Sequence, residues 1–294
     1  MLKTGIKKEL MFFTRSFKMG GIIIAAVGLA ILYPFMMKLS GMMVNSLSYV
    51  DDFETGSNTS ISITASGGEV SSDNSNPDSL MAVFNDENLA SLGIISSFSD
   101  ITSTFLLVFM IITMSSAGGE LKKRSMIIPR NAGLSTKLYV IPKFLVYPLA
   151  AALFSFVAMF LAGLVTNLLF SSYEVNFTNL ILTSFIAAVY DAFMIILYFT
   201  LGLCMERAGI ATIILYCGNT LFPLLLSSFG ADKFQPFALK TEAQNLLMGI
   251  EADMMNVWGS MGVCLLLMVL CYLITVFVIS AKKIDNRGGD EIAL

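Results

Sequence analysis

Six stretches of this chain, at 20–44, 92–117, 144–170, 180–204, 208–229 and 257–280, carry no more than one charged side chain apiece. About 20 residues at 1.5 Å each cross the hydrocarbon of a bilayer, and every one of these stretches is long enough. Hydrocarbon holds no water to satisfy a bare backbone, so such a run has to close its own hydrogen bonds as a helix. Only 13% of the 294 residues are charged and 56% are hydrophobic, whereas soluble domains carry about 25% charged residues. The expected fold class is an all-α integral membrane protein with six transmembrane helices. Pro34, Pro148 and Pro223 fall inside these stretches and are expected to bend or loosen them.

The loops between the spans differ sharply in charge. The segment 118–143 holds Lys122, Lys123, Arg124, Arg130, Lys137 and Lys143 against a single acid, Glu120, whereas no Lys or Arg occurs in 39–121. Lys and Arg collect in cytoplasmic loops, so 118–143 is expected inside. The arm 1–19, the short turn 205–207 and the tail 281–294 join it, which makes both termini cytoplasmic. The segment 45–91 has eight acids and no base and is expected outside, together with 171–179.

Three flanking regions add detail. Residues 1–19 interleave Lys3, Lys7, Lys8, Arg15 and Lys18 with Leu10, Met11, Phe12, Phe13 and Phe17, a mixture that predicts a cytoplasmic interfacial helix rather than a plain basic flank. The apolar run that follows is too long for a signal-peptide core and is expected to remain as an anchor. Residues 45–91 open as a low-complexity stretch with too few large apolar groups to offset the entropy of ordering, so a flexible outer loop is expected. Residues 230–256 place Leu239, Ala243, Leu246, Leu247 and Ile250 near helical spacing, which predicts an amphipathic or re-entrant outer segment.

Several chemistries are excluded. The chain has no His, which removes His-activated nucleophiles and His-ligated metals. It has no phosphate-binding loop of the GxxxxGK[ST] kind and no basic, aromatic-laced face for nucleic acid. Cys204, Cys217, Cys264 and Cys271 lie in or beside apolar runs, where thiols behave as small hydrophobes. Among the spans, Asp191 and Asp100 are the candidate pathway residues. An ionised carboxylate at a helix centre costs about 2.5 kcal/mol or more. Asp191 therefore reads either as a substrate or ion contact or as a hydrogen-bonded carboxyl facing the bundle. Ala151, Ser155, Ala158 and Ala162 form a small-residue face that lets helices approach closely.

This layout resembles the permease subunit of ABC transporters, in particular the ABC type-2 exporter family. The resemblance rests on the N-terminal helix, the six spans, the large first outer loop and the half-polar segment before the last span. It rests also on the order Glu120, Lys122–Arg124, Pro129, Ser135–Thr136 and Lys143 after the second span. It implies a coupling helix within 127–137, seated on a separate cytoplasmic ATPase subunit. Glu120, Pro129, Arg130, Leu134, Ser135, Thr136, Lys137 and Tyr139 would form the coupling loop. ATP and Mg would bind in that partner, with no cofactor or catalysis in this chain. A second permease copy or a related chain would complete the path, in a bacterial plasma membrane. Apolar spans poor in charge suit an amphipathic or hydrophobic cargo such as a peptide, drug or lipid. Two other readings stand beside it: a non-transporting sensor or scaffold acting through 45–91, and an ion-coupled secondary carrier.

The charge pattern makes a direct prediction about topology. In a cysteine-free background, Ser72→Cys is expected to react with a membrane-impermeant maleimide on intact cells. Ser125→Cys is expected to react only after permeabilisation. The reverse pattern would show that the basic segment faces outward.

Overall fold

The computed structural model describes residues 2–15, 18–48, 64–65, 68–69, 86–113, 135–170, 176–205, 208–219, 221–230, 233–248 and 253–281. Among them the helices are α1 (Leu2–Arg15), α2 (Lys18–Ser48), α3 (Asp86–Thr113), α4 (Thr136–Leu169), α5 (Phe177–Cys204), α6 (Ala208–Gly218), α7 (Phe222–Ser228), α8 (Leu239–Leu247) and α9 (Met254–Ala281). A 3₁₀ turn, Pro236–Ala238, leads into α8. A two-residue antiparallel pairing joins Thr64–Ala65 to Gly68–Glu69 within the segment expected to be a flexible loop. Among the described residues, five helices are long and apolar enough to cross a membrane: Gly20–Met43, Asn88–Thr113, Lys137–Leu169, Phe177–Cys204 and Met254–Ala281. The chain is a multi-pass helical membrane protein.

Two of the expected boundaries move. The helix of the second span begins at Asp86 rather than 92. The third begins at Thr136 rather than 144. Ser135 is its N-cap, with Oγ accepting from the Leu138 N–H at 3.4 Å, so the last part of the basic segment is helix rather than loop. Over 208–229 the single expected span is divided into α6 and α7, of 11 and 7 residues. Pro223 opens α7 instead of bending a span, because its missing N–H is harmless in a first turn. Pro34 and Pro148 do lie inside helices, as does Pro142.

Helix α5 is the hub. Its buried side chains include Leu180, Thr183, Ala187, Asp191, Met194 and Phe199 and lie all around its axis, the mark of a helix enclosed by others. Its most extensive packing is with α4, which runs antiparallel to it. The small face Ala151, Ser155, Ala158 and Ala162 is buried there. At Gly163 the approach is so close that a Cβ would meet Leu180 Cδ1 at 2.4 Å. Helix α9 packs along α5, with Cys264 beside Tyr190 and Cys271 beside Thr200 and Cys204, so these two helices run in the same direction. Exposed apolar side chains line the outer faces of α2 and α9, including Ile24, Phe35, Leu266 and Phe277, as lipid-facing helices require.

Helix α1 is amphipathic, and its buried residues Glu9 and Phe13 are one turn apart. Phe13 stacks on Phe109 of α3 and meets Tyr147 of α4 edge-on, and Tyr147 in turn packs on Phe199 of α5. Within this aromatic layer, Lys143 is only 1% exposed and its Nζ pairs with Glu9 Oε1 at 3.1 Å. The Tyr147 hydroxyl donates to Glu9 Oε2 at 3.2 Å. Both carboxylate oxygens are thus engaged, and the Lys143 ammonium also lies over the Tyr139 ring.

Removing one partner of a buried ion pair strands the other charge. Glu9→Ala is therefore expected to destabilise the bundle by about 3–5 kcal/mol in reversible detergent unfolding. Glu9→Ala combined with Lys143→Met is expected to recover part of that loss, because no charge is then left unpaired. A wild-type unfolding midpoint for Glu9→Ala would show that the pair does not hold α1.

Candidate functional site

The polar groups of the bundle meet halfway along α5, where Asp191 lies. It is 0% exposed, and neither carboxylate oxygen has a hydrogen-bond partner among the described residues. Ser155, on the small face of α4, is the hydroxyl that acts on this carboxylate, yet Ser155 Oγ also lacks a bond of acceptable geometry. Tyr198 lies two turns along the same face of α5 and senses the Asp191 charge. Its hydroxyl is also without a partner, as is Ser260 Oγ on α9.

Other buried hydroxyls in the bundle behave differently. Ser97, Thr166, Ser184 and Thr275 each donate to the carbonyl four residues earlier, at 2.7–2.8 Å. That back-bond is the usual way for a helix to satisfy a hydroxyl where no water is available. Ser155 and Ser260 lack it among the described residues.

Two breaks in the helices fall at the same depth. The first separates α6 from α7, and Asn219 at this break accepts a short hydrogen bond from the Tyr190 hydroxyl, next to Asp191. The second is the start of α8. Along α8, the Leu246 carbonyl accepts from Asn179 at 3.3 Å and the Ala243 carbonyl accepts from Thr183 at 3.5 Å. Phe237, just ahead of α8, meets Phe193 edge-on and packs on Phe222 of α7. Helix α8 therefore runs antiparallel to the first half of α5, with its N-terminus near the level of Asp191. Of the amphipathic set read from the sequence, Leu239, Ala243, Leu246 and Leu247 are buried; Ile250 lies outside the described residues. Side chains of α5 bond its backbone carbonyls, so the segment packs against the bundle.

This geometry brings in Lys240, which was not among the sequence candidates. Lys240 Nζ donates to Ser103 Oγ of α3 at 3.4 Å. Lys240 stands close enough to Asp191 and Asp100 to feel the charge of both. Asp100 is half-buried and interacts with Tyr33 of α2. A polar row thus runs from Tyr33 through Asp100, Ser103 and Lys240 to Asp191 and Ser155, joining α2, α3, α8, α5 and α4. The two pathway candidates, Asp100 and Asp191, lie on either side of one lysine. The sequence did hold a signal for Lys240, since it precedes Ala243 by three positions and Leu247 by seven, on the buried side of the helix.

The basic segment is described only in part. Glu120, Pro129, Arg130 and Leu134 lie outside the described residues. Ser135 caps α4 and is exposed, Thr136 and Lys137 open the helix with Lys137 exposed, and Tyr139 is half-buried. Nothing in the local pattern links this segment to Glu9, which is 134 residues from Lys143. Compared with protein-family models, curated proteins and solved structures, the chain finds no match.

If the polar row acts as one unit, its members couple. Lys240→Met is expected to lower stability and Asp191→Asn to restore most of the loss, with an interaction energy of about 0.5–3 kcal/mol in a double-mutant cycle. Additive effects on the unfolding free energy would mean that Lys240 and Asp191 do not sense each other.

Proposed function

We propose that this chain is the membrane-spanning permease subunit of an ATP-driven exporter of the ABC type-2 kind. It would move an amphipathic or hydrophobic substrate, such as a peptide, drug or lipid, outward across a bacterial plasma membrane. The reading takes α6 and α7 together as a broken fifth span, since 18 residues of helix rise about 27 Å against a hydrocarbon core of about 30 Å. Six crossings then place both termini in the cytoplasm, in keeping with the basic arm and tail. ATP and Mg belong to a separate ATPase subunit, and a second permease copy or a related chain encloses the path.

The observation that supports this most is the lock between α1 and the first turns of α4. The Lys143–Glu9–Tyr147 group ties a basic amphipathic helix to the helix that begins where the basic segment ends. A partner pressing on that segment would push on one rigid unit rather than on a loose loop. Because α4 packs along most of α5, the push would reach the helix that carries Asp191. Rigid-body motion of packed helices is a common means of passing work between distant sites.

A second reading, an ion-coupled secondary carrier, draws on a different observation. Helix breaks beside a buried carboxylate at half depth are how many carriers build their binding sites, and Asp191 lies between two such breaks.

Affinity purification of the full chain from native membranes separates the readings. A soluble ATPase is expected to co-elute with the wild type. Its recovery is expected to fall by about tenfold or more in an Arg130→Glu, Lys137→Glu variant that inserts normally, since one charge reversal across an interface disfavours binding by several kcal/mol. Absence of any ATPase, together with uptake into vesicles driven by an ion gradient alone, would favour the carrier.

A further inference from the structure

We propose that the buried Asp191 carboxylate, beside Ser155, takes up one small monovalent cation from solution, a sodium ion or a proton. The first ground is a count of charges. Two carboxylates, Asp100 and Asp191, share a single ammonium, Lys240, so the row is one positive charge short. Among the described residues no other base acts at Asp191. Lys38 lies over the Phe170 ring toward the far end of α4, 4.9 Å from its centroid, and Lys143 is paired with Glu9 near the opposite end. An uncompensated charge inside an apolar bundle is costly, and a cation from solution offsets it.

The second ground is geometric. Five buried side-chain atoms lack a partner among the described residues: Ser155 Oγ, both Asp191 oxygens, Tyr198 Oη and Ser260 Oγ. Of these, the two Asp191 oxygens and Ser155 Oγ stand together, since Ser155 acts on the Asp191 carboxylate, whereas Tyr198 lies two turns away along α5. Unsatisfied buried polar atoms call for an unseen water or ion, and carboxylate and hydroxyl oxygens are the donors that hard cations prefer. Lys240 does not close the gap. Its ammonium is bonded to Ser103, and Asp191 makes no contact ion pair among the described residues.

The groups that act at Asp191 are few. Ser155 faces it from α4 and Lys240 from α8, Tyr190 and Tyr198 flank it on α5, and Cys264 of α9 lies beside Tyr190. Beyond Lys240 stands Asp100 of α3. Asp191 is therefore where an added positive charge gains most, and its occupancy sets the net charge that Lys240 and α8 meet. The inference does not depend on an ATPase, and it applies to an exporter and to a carrier alike.

The test uses the full chain in lipid nanodiscs without any ATPase, so its failure would leave the exporter reading untouched. Infrared difference spectra near neutral pH, in choline chloride, read the protonated carboxyl of Asp191 by comparison with Asp191→Asn. Radioactive sodium reads the ion. A protonated-carboxyl band in the wild type, lost in Asp191→Asn, would identify the proton. Saturable one-to-one sodium binding would identify sodium, weakened about 10-fold or more in Ser155→Ala and absent in Asp191→Asn. Lys240→Met is a second probe, because it deepens the charge deficit and is expected to increase uptake of whichever cation is found. An ionised Asp191 in sodium-free buffer, with no sodium bound and no change in Lys240→Met, would overturn the proposal.

Discussion

Inside hydrocarbon, each backbone N–H and C=O has to be satisfied by the chain itself, and this constraint governs where the molecule departs from plain helix. Most of the bundle obeys it with long uninterrupted helices. The exceptions, the break between α6 and α7 and the start of α8, both fall beside α5. Tyr190 bonds Asn219 at the first break, and Asn179 and Thr183 bond α8 carbonyls after the second. Helix α5 thus supplies the polar groups that let irregular backbone persist at half depth. It can do so because it is enclosed by α4, α3, α8 and α9 rather than by lipid.

Charges within the bundle follow a related rule and fall into two groups. Near the α1 end, Glu9, Lys143 and Tyr147 form a closed set in which both carboxylate oxygens are engaged. Halfway along α5, Asp191 and Ser155 form an open set whose oxygens have no protein partner among the described residues. A closed set fixes position, since any displacement exposes an unpaired charge. An open set leaves coordination to be completed by something from outside. The aromatic layer Phe13–Tyr147–Phe199 and the close face of α4 on α5 connect the two, so the anchoring group and the open site share one rigid core.

Much of the architecture was legible in order along the chain. Uncharged runs gave the long helices to within a few residues at most ends, and Leu239, Ala243, Leu246 and Leu247 marked an amphipathic α8 by spacing alone. Ala151, Ser155, Ala158 and Ala162 marked the close-packed face of α4. The errors fell where hydropathy is a poor guide to helix ends. Lys137 and Lys143 read as loop because they are charged, yet Lys143 sits inside α4, with its charge met by Glu9. The run 208–229 reads as one span because Asn219 and Pro223 scarcely change its mean hydropathy, although a Pro about four turns into a segment readily ends one helix and starts another.

What the sequence determined by itself is whatever a local run carries: helical class, the depth that each run can cross, the sign of each loop and the rarity of charge in the spans. Asp191 stood out on those grounds alone. Only the tertiary structure decided which distant charges meet. Glu9 finds Lys143 across 134 positions, and Lys240 stands between Asp100 and Asp191, because α1 and α8 fold back against helices far from them in sequence. Spacing and hydropathy record which face of a helix is buried. They do not record which other helix that face is buried against, and the partner of a charge is set by that second fact.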